Sequence, residues 1–253
     1  MTLAITRRAL VAGAGAGAGL ALAACDRLGN LPVVQRVLAS AEPAHRRLQR
    51  SVASSGALAP EFTRADMSPV FRVNGTANPD TPAYNAMAAN RFADWRLEVG
   101  GLVARPLALS MAQLRGLPAR TQITRHDCVE GWSAIGQWHG PMLGTLLHAA
   151  GVRAAARYVV LTCADLFGGE PYYESIDLID SFHPQTILAW AMNEQALKVE
   201  HGAPVRLRVE RKLGYKQAKY VMRVDAVADI ASHRGGKGGY WEDSTGYDWY
   251  AGI

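Results

Sequence analysis

The chain has 253 residues and a formal net charge of +5; hydrophobic residues make up 49% of it and charged residues 19%. This balance is typical of globular proteins and excludes an intrinsically disordered chain. The longest uncharged apolar stretch, residues 9–24, is shorter than the roughly 20 residues that span a bilayer. A multi-span membrane protein is therefore excluded as well.

The N-terminal residues resemble an export signal. Arg7 and Arg8 precede an uncharged run rich in Ala, Gly and Leu, which is similar to a twin-arginine signal. Such signals direct the export of proteins that are already folded, often with a cofactor inserted. The run ends in Leu-Ala-Ala before Cys25 and resembles a bacterial lipobox, in which Cys25 becomes the lipidated first residue of the mature protein. The alternative is a plain signal peptide with a chance cysteine.

These features predict three regions of the chain: a signal peptide over residues 1–24, a tether with a short helix over residues 25–60, and a folded domain over residues 61–253. The expected location is the periplasm or the outer face of the cytoplasmic membrane, with a lipid anchor at Cys25. Loss of residues 1–24 removes two arginines and no acids, which leaves a charge of +3. This charge is too small to indicate nucleic-acid binding.

The helices are predicted from spacing and end signals. A short basic helix within residues 31–60 is expected to break at Pro43, and residues 62–90 are expected to form a long loop. Residues 107–114 predict a strand followed by a short helix with Ser110 as its N-cap. Residues 142–150 predict a helix that ends at Gly151.

Strands are predicted to dominate the domain. Alternating or buried apolar runs occur at residues 94–101, 122–125, 158–162, 172–176, 205–209 and 220–224. Residues 186–192 are apolar and ambiguous, and residues 233–253 form a tail rich in glycine and aromatic residues. Because short strands outnumber helices, the sequence predicts a mixed, β-rich α+β domain.

Cys128 stands in the segment richest in reactive side chains. It follows a predicted strand directly and has Arg125, His126 and Glu130 as near neighbours. Arg125 and His126 are expected to favour the thiolate, which is a nucleophile and a soft metal ligand. The sequence has no CxxC pair, which excludes a zinc ribbon, and no CxxCH motif, which excludes a c-type haem on this chain. Cys128 is therefore a metal ligand, a nucleophile or one end of a disulfide with Cys163.

Three segments resemble the molybdopterin-binding domain of the sulfite oxidase family. They are Arg-His-Asp-Cys-Val-Glu-Gly-Trp-Ser at residues 125–133, Gly-Ala-Pro-Val-Arg-Leu at residues 202–207 and Gly-Tyr-Lys-Gln-Ala-Lys at residues 214–219. Residues 94–103 and 239–243 are similar as well, so the resemblance extends from about Val70 to the C-terminus. The nearest branch is that of exported bacterial enzymes similar to the periplasmic methionine sulfoxide reductase catalytic subunit.

The resemblance implies a molybdenum–molybdopterin cofactor and a set of residues that hold it. Cys128 is expected to ligate the metal, since a dithiolene-bound molybdenum needs a soft protein ligand, and Asn74 is expected to lie near the metal as a second catalytic residue. His201 stands where this branch often has Asn. The expected cofactor contacts are Asn74, His126, Cys163, His201, Arg206, Gln217, Ala218 and Lys219.

The implied function is that of an exported molybdenum-dependent oxidoreductase. It would transfer an oxygen atom to or from a small sulfur or similar oxo substrate, by sulfoxide reduction or sulfite oxidation. Electrons would be exchanged with a separate protein: a membrane haem b or quinone-linked subunit, or a cytochrome. Two other classes remain open, a hydrolase that uses Cys128 as nucleophile with a histidine, and a non-catalytic ligand-binding module on the same fold. Cys163 as a core residue and a solvent-facing Arg206 also remain open.

Overall fold

The computed structural model describes residues 29–52 and 54–253, so the predicted signal peptide and Cys25 lie outside the described residues. The chain divides into two compact units, residues 1–51 and 52–253. None of the helices in the described part of the chain combines the length and apolarity that crossing a membrane requires.

The described part of the first unit consists mainly of one helix, α1 (Pro32–Val52). This helix continues through Pro43, so the predicted break is wrong. Proline removes one backbone hydrogen bond from a helix interior, but the residues on both sides are rich in Ala, Leu, Arg and Gln, which favour the helix.

The second unit contains a five-stranded sheet made by β1 (Arg96–Gly101), β2 (Leu107–Ser110), β5 (Tyr158–Phe167), β6 (Glu170–Asp177) and β11 (Val221–Val227). Its strand order is β2–β1–β11–β5–β6, in which β1 and β11 are parallel and the other neighbours antiparallel. The strands predicted in these regions are therefore confirmed.

Two smaller sheets lie in the same unit. One is antiparallel and contains β3 (Ala119–Asp127), β4 (Ser133–Pro141), β8 (Ala191–Met192) and β9 (Gln195–Ala196) in that order. In the other, β7 (Ile187–Ala189) pairs antiparallel with β10 (Arg206–Arg208). The ambiguous residues 186–192 thus form two short strands, β7 and β8.

Five helices complete the second unit: α2 (Pro82–Ala89), α3 (Met111–Arg115), α4 (Leu143–Ala150), α5 (Leu178–Ser181) and α6 (Tyr240–Thr245). Three 3₁₀ turns occur at Arg64–Asp66, Val199–His201 and Gly214–Lys216. The Ser110 N-cap of α3 and the end of α4 at Gly151, whose φ is 69°, are as the sequence predicts.

Residues 62–90 are not only loop, and the C-terminal tail is not only irregular. The first contains the turn Arg64–Asp66 and α2, and the tail contains α6. Helix α2 begins with Thr81, whose side chain accepts a hydrogen bond from the backbone of Tyr84, and with a proline in its first turn. Both are helix-start signals that the Pro- and Asn-rich composition of the segment obscures.

The main core lies between the five-stranded sheet and its helices. Alternate residues of β1, such as Leu97 and Val99, pack with residues of β5 and α4, such as Leu161 and Leu146. A second, smaller cluster surrounds Trp138 of β4. Burial of both clusters provides most of the stabilisation, at roughly 25 cal/mol for each Å² of apolar surface removed from water.

Candidate active site

A cleft with a volume of about 150 Å³ opens where the end of β3 meets the segment that follows β10. Three short segments form its polar walls: residues 74–76, residues 128–130 and residues 217–219. The other walls are Asp165, Gly214 and aromatic residues, namely Phe167, Tyr172, Tyr215, Trp241 and Tyr247.

Cys128 is held at this cleft by a tight turn at the end of β3. Its backbone N–H donates to the carbonyl of Trp132 at 2.9 Å, and Gly131 N–H donates to the Cys128 carbonyl at 3.0 Å. Gly131 has a φ of +85°, which favours glycine. The turn leaves Cys128 half-buried in the wall of the cleft.

The thiol is not activated by its neighbours, contrary to the expectation from the sequence. Burial raises the pKa of Cys128, and the Glu130 carboxylate adds to the rise. Arg125 is paired with Asp127 at 2.9 Å, and the pKa of His126 is well below its usual value, so neither places a positive charge on the sulfur. A bound metal ion would supply that charge, since coordination deprotonates a thiol.

His126 lies directly behind the cleft and is fully buried. Burial, followed by the charges of Arg208 and Arg206, lowers its pKa, so the ring is neutral. Nη1 of Arg208 lies 3.1 Å from Nδ1; because arginine only donates, Nδ1 is the acceptor and Nε2 carries the proton. A Cβ at Gly214 would lie 2.4 Å from Nε2, so this approach requires glycine.

Arg206 and Arg208 are both buried on β10. The alternation of polar and apolar residues in this strand suggested that Arg206 could face solvent, and this alternative is wrong. Arg208 is paired with Glu210 at 2.5 Å. Arg206 donates to the carbonyls of His201 and Gln217 at 3.1 and 3.2 Å, but it has no ion pair with any described residue. Burial, with a contribution from Arg208, lowers its pKa to about 9.

Lys219 is a second buried cation at the cleft. Its ammonium donates to the carbonyls of Thr76 and Glu200, the latter at 2.9 Å. Burial and the charge of Arg206 lower the pKa of Lys219 to about 7. A bound anionic ligand would raise this pKa again. Asp165, in the same wall, has its pKa raised to about 6 by burial.

The structure brings most of the predicted site residues together. Five line the cleft itself: Asn74, Cys128, Gln217, Ala218 and Lys219. His126 and Arg206 stand behind it, linked to Gly214 and to the Gln217 carbonyl.

His201 and Cys163 lie outside the lining of this cleft. His201 borders a neighbouring cavity with Phe71 and Lys198, although its carbonyl accepts from Arg206. Cys163 is 2% exposed, packs in the main core and is not bonded to Cys128. The disulfide alternative is therefore wrong, and the cofactor contacts of Cys163 and His201 stay predictions.

Sequence reasoning missed Asp165, Thr76 and part of the aromatic wall. Asp165 lies on β5 beyond the apolar run that signalled the strand, and Trp241 comes from α6, far along the chain. Tyr215 is part of the lining, whereas the nearby aromatic Tyr240 is not. A signal for Trp241 exists in the aromatic-rich tail, whereas none marks Asp165.

Buried polar atoms without partners test whether this site fits molybdopterin. Among the described residues, six side chains at or near the cleft each have one such atom: Asn74 Oδ1, Asp165 Oδ1, Gln217 Oε1, His126 Nε2, His201 Nδ1 and Arg206 Nε. Orphaned buried polar atoms are costly and usually indicate a missing partner. Donors, acceptors and an uncompensated guanidinium next to a thiol match a polar, anionic pterin with a soft metal. The residues present therefore fit the cofactor.

The chain belongs to the family of oxidoreductase molybdopterin-binding domains, whose model matches residues 84–233. This confirms the family and the β-rich α+β fold of the sulfite oxidase type, and molybdenum–molybdopterin is the cofactor that membership of this family implies. The matched range contains all the predicted site residues except Asn74 and Cys25.

Two relatives are named as components of methionine sulfoxide reductases. The subunit YedZ1 of Azospira oryzae, whose name associates it with a protein-methionine-sulfoxide reductase, is 43% identical over 160 residues, which are 63% of this chain and 56% of that protein. The protein-methionine-sulfoxide reductase catalytic subunit MsrP of Campylobacter jejuni is 32% identical over 144 residues, 52% of this chain and 48% of that protein. The chain thus spans about half the length of the curated relatives it matches.

A solved structure shares the fold. The crystal structure of the sulfane dehydrogenase SoxCD from Paracoccus pantotrophus matches with a TM-score of 0.52 and 24% identity. The match covers 61% of this chain and 42% of that chain. At this level of identity the likeness concerns the fold alone.

Proposed function

We propose that this chain is the catalytic component of an exported molybdenum-dependent oxidoreductase that reduces sulfoxides, with Cys128 as the protein ligand of the metal. The observation that carries the proposal is the position of Cys128 in the wall of a cleft that also contains unpartnered buried polar atoms. Behind that wall lies Arg206, a cation without an ion-pair partner among the described residues. The names of the relatives favour sulfoxide reduction over sulfite oxidation.

The basic residues account for binding of the anionic part of the cofactor. Arg206 and Lys219 supply two buried positive charges, and Gln217 and Ala218 add polar groups along the same wall. Charge-assisted hydrogen bonds in a dry site are strong, and a bound phosphate would raise the pKa of Lys219 from about 7 back towards its usual range.

The cofactor would supply the redox chemistry of oxygen-atom transfer when bound. Reduction of a sulfoxide to a thioether and water consumes two electrons and two protons. Asp165, a carboxyl of the cleft wall with a pKa of about 6, can hold and release a proton near neutral pH. Trp241 and Tyr247, at the same cleft, offer aromatic surface to a thioether-like side chain.

Electrons would come from a separate protein, since both relatives are named as subunits of reductases. A membrane haem b or quinone-linked subunit fits a chain whose N-terminal sequence resembles an export signal ending at a lipobox. The proposed location is the periplasmic side of the cytoplasmic membrane, with a lipid on Cys25. No observation favours the hydrolase alternative, since the pKa of Cys128 is raised and His126 is committed to Arg208.

The decisive experiment compares the chain with Cys128→Ser and with Cys25→Ser as a matched control, each expressed with cofactor supply. The wild-type chain and Cys25→Ser are expected to retain about one molybdenum per chain and to reduce methionine sulfoxide with an artificial electron donor. Cys128→Ser is expected to lose activity by at least about a hundredfold, since oxygen replaces a soft ligand. Full molybdenum-dependent activity in Cys128→Ser would contradict the proposal, and turnover of sulfite but not sulfoxide would reverse the proposed reaction.

A further inference from the structure

Helix α1 presents one continuous apolar face. At 100° per residue, its Val and Leu side chains fall on a single arc of about 140°, which also contains Ala41, Ala44 and His45. Val33, Val37, Leu48 and Val52 mark this arc and are 55%, 64%, 63% and 81% exposed. An apolar stripe of this length is ordinarily buried against another structure.

The opposite face of α1 is basic. The helix contains four arginines and a single carboxylate, Glu42, and all four arginines lie on the arc opposite the apolar face. Pro43 lies on the polar arc too, so the hydrogen bond that it removes does not interrupt the apolar face. The helix is therefore amphipathic, with a positive polar side and little negative charge.

These properties match a helix that lies in a lipid interface rather than one that crosses a bilayer. Interfacial helices combine a narrow apolar face with Arg or Lys on the polar side, which meets anionic headgroups. The five charged residues of α1 are incompatible with a helix that spans a bilayer. In agreement, α1 is not apolar enough to cross a membrane. A helix of 21 residues is roughly 31 Å long, enough to lie across several lipid headgroups.

The chain upstream of α1 indicates which apolar surface would cover it. Helix α1 begins at Pro32, and the lipobox-like Cys25 lies only a few residues before it in the sequence. A lipid on Cys25 would hold α1 next to the membrane surface. The basic, apolar-faced α1 has the chemistry to bind that surface directly.

We propose that α1 binds flat on an anionic phospholipid surface, with the face marked by Val33, Val37, Leu48 and Val52 inserted among the acyl chains and with its exposed arginines, Arg36 and Arg47, at the headgroups. The helix thereby keeps the following domain at the membrane, whatever substrate that domain uses.

Vesicle co-sedimentation tests this surface without depending on enzyme activity. The cofactor-loaded chain from residue 25 onward, carrying Cys25→Ser so that no acyl group contributes, is mixed with vesicles of phosphatidylglycerol and phosphatidylcholine or of phosphatidylcholine alone. Binding to the anionic vesicles is expected to be at least about tenfold tighter and to weaken with added salt.

Two matched double variants separate the apolar face from net charge. Val37→Glu with Leu48→Glu places two carboxylates on the apolar face and is expected to lower vesicle binding by at least about tenfold. Gln35→Glu with Gln49→Glu makes the same change of charge on the polar side and is expected to lower binding by only about threefold. Circular dichroism and cofactor absorbance verify that each variant is folded and loaded.

Three results would overturn the proposal. One is an absence of binding to anionic vesicles, and another is equal loss of binding in both double variants. The third is that the parent chain is a dimer in sedimentation velocity and does not bind vesicles, whereas Val37→Glu with Leu48→Glu is a monomer. In that case the apolar face of α1 would be a self-association surface.

Discussion

Arg206 and Arg208 occupy alternate positions of β10, stack near the same Trp138 ring at 5.0 and 4.2 Å, and are both fully buried. Their partners differ, because Arg208 has the Glu210 carboxylate and Arg206 has only backbone carbonyls. A buried charge is tolerable when it is paired. The unpaired one therefore indicates where an anionic ligand belongs.

Neutral substitutions at these two positions should affect different properties, namely stability at Arg208 and cofactor binding at Arg206. Arg208→Gln leaves Glu210 as a buried, uncompensated carboxylate and is expected to lower the free energy of unfolding by about 3–5 kcal/mol. Arg206→Gln removes a cation without stranding an acid, so its main effect should be a loss of bound molybdopterin. Urea denaturation of the cofactor-free chain and cofactor content of the loaded chain measure the two effects. Equal destabilisation by both substitutions would argue that Arg206 is structural.

Asp165 predicts a pH dependence of stability in the cofactor-free chain. Burial raises its pKa from 3.8 to about 6, so the folded state binds this proton more tightly than the unfolded state does. The resulting contribution is fully present below pH of about 4 and is lost as the pH rises through about 6, by up to roughly 3 kcal/mol. Asp165→Asn should abolish this loss.

The appropriate measurement is the difference in unfolding free energy between Asp165→Asn and the parent chain across that pH range. The difference cancels the contributions of other carboxylates, many of which gain stability as the pH rises. A difference that remains constant between pH of about 4 and about 7 would show that burial does not perturb this carboxyl.

Single residues were predictable where they belong to a local pattern. Cys128 follows directly from a strand end and its polar neighbours, and the residues after Gly214 follow from a basic, turn-rich loop. Asp165 and the burial of Arg206 were not predictable in this way. Both depend on packing between segments that are distant in the sequence, and alternation along β10 is typical of a half-exposed strand.

At the scale of elements, a buried ion cluster connects α6 to the loop that forms the cleft wall. Lys216, in the turn just before Gln217, contacts Glu174 of β6 and Glu242 of α6, the latter at 2.6 Å. Burial alone would lower the pKa of Lys216, but the two carboxylates raise it. Burial raises the pKa of Glu174 well above its usual value, and Glu242 adds to the rise although Lys216 opposes it.

Because two carboxylates surround one ammonium, removal of the lysine charge should destabilise the chain more than removal of one carboxylate charge. Lys216→Met is expected to destabilise the chain by about 3–5 kcal/mol, because both acids lose the cation that they share. Glu242→Gln keeps a one-to-one pair and should cost no more than about 1 kcal/mol. Thermal or urea unfolding of the two variants provides the comparison. A larger loss in Glu242→Gln than in Lys216→Met would contradict this arrangement of charges.

Element prediction succeeded where end signals were local and failed where they conflicted. Ser110 and Gly151 mark the start of α3 and the end of α4 in agreement with their side-chain and backbone chemistry. Pro43 suggested a break, yet α1 continues on the strength of its other residues. The start of α2 at Thr81 was hidden in a segment whose composition is that of a loop.

At the scale of the whole molecule, the order of the motif segments was sufficient to predict the family and its β-rich α+β fold. The pairing of strands was not predictable. β1 pairs with β2 and β11, and the second of these partners lies near the other end of the domain. Such pairing is decided by packing of the complete sheet, which local alternation does not encode.

The position of β11 in the middle of the five-stranded sheet also constrains assembly. Until the ribosome has released the chain through Val227, the strands on either side of this gap, β1 and β5, have no neighbour at their facing edges. Nascent chains of this protein therefore expose open hydrogen-bonding edges on β1 and β5 until β11 is available, a state prone to mispairing. Because β11 fills the central gap, the sheet becomes continuous only when its last strand in the sequence is in place.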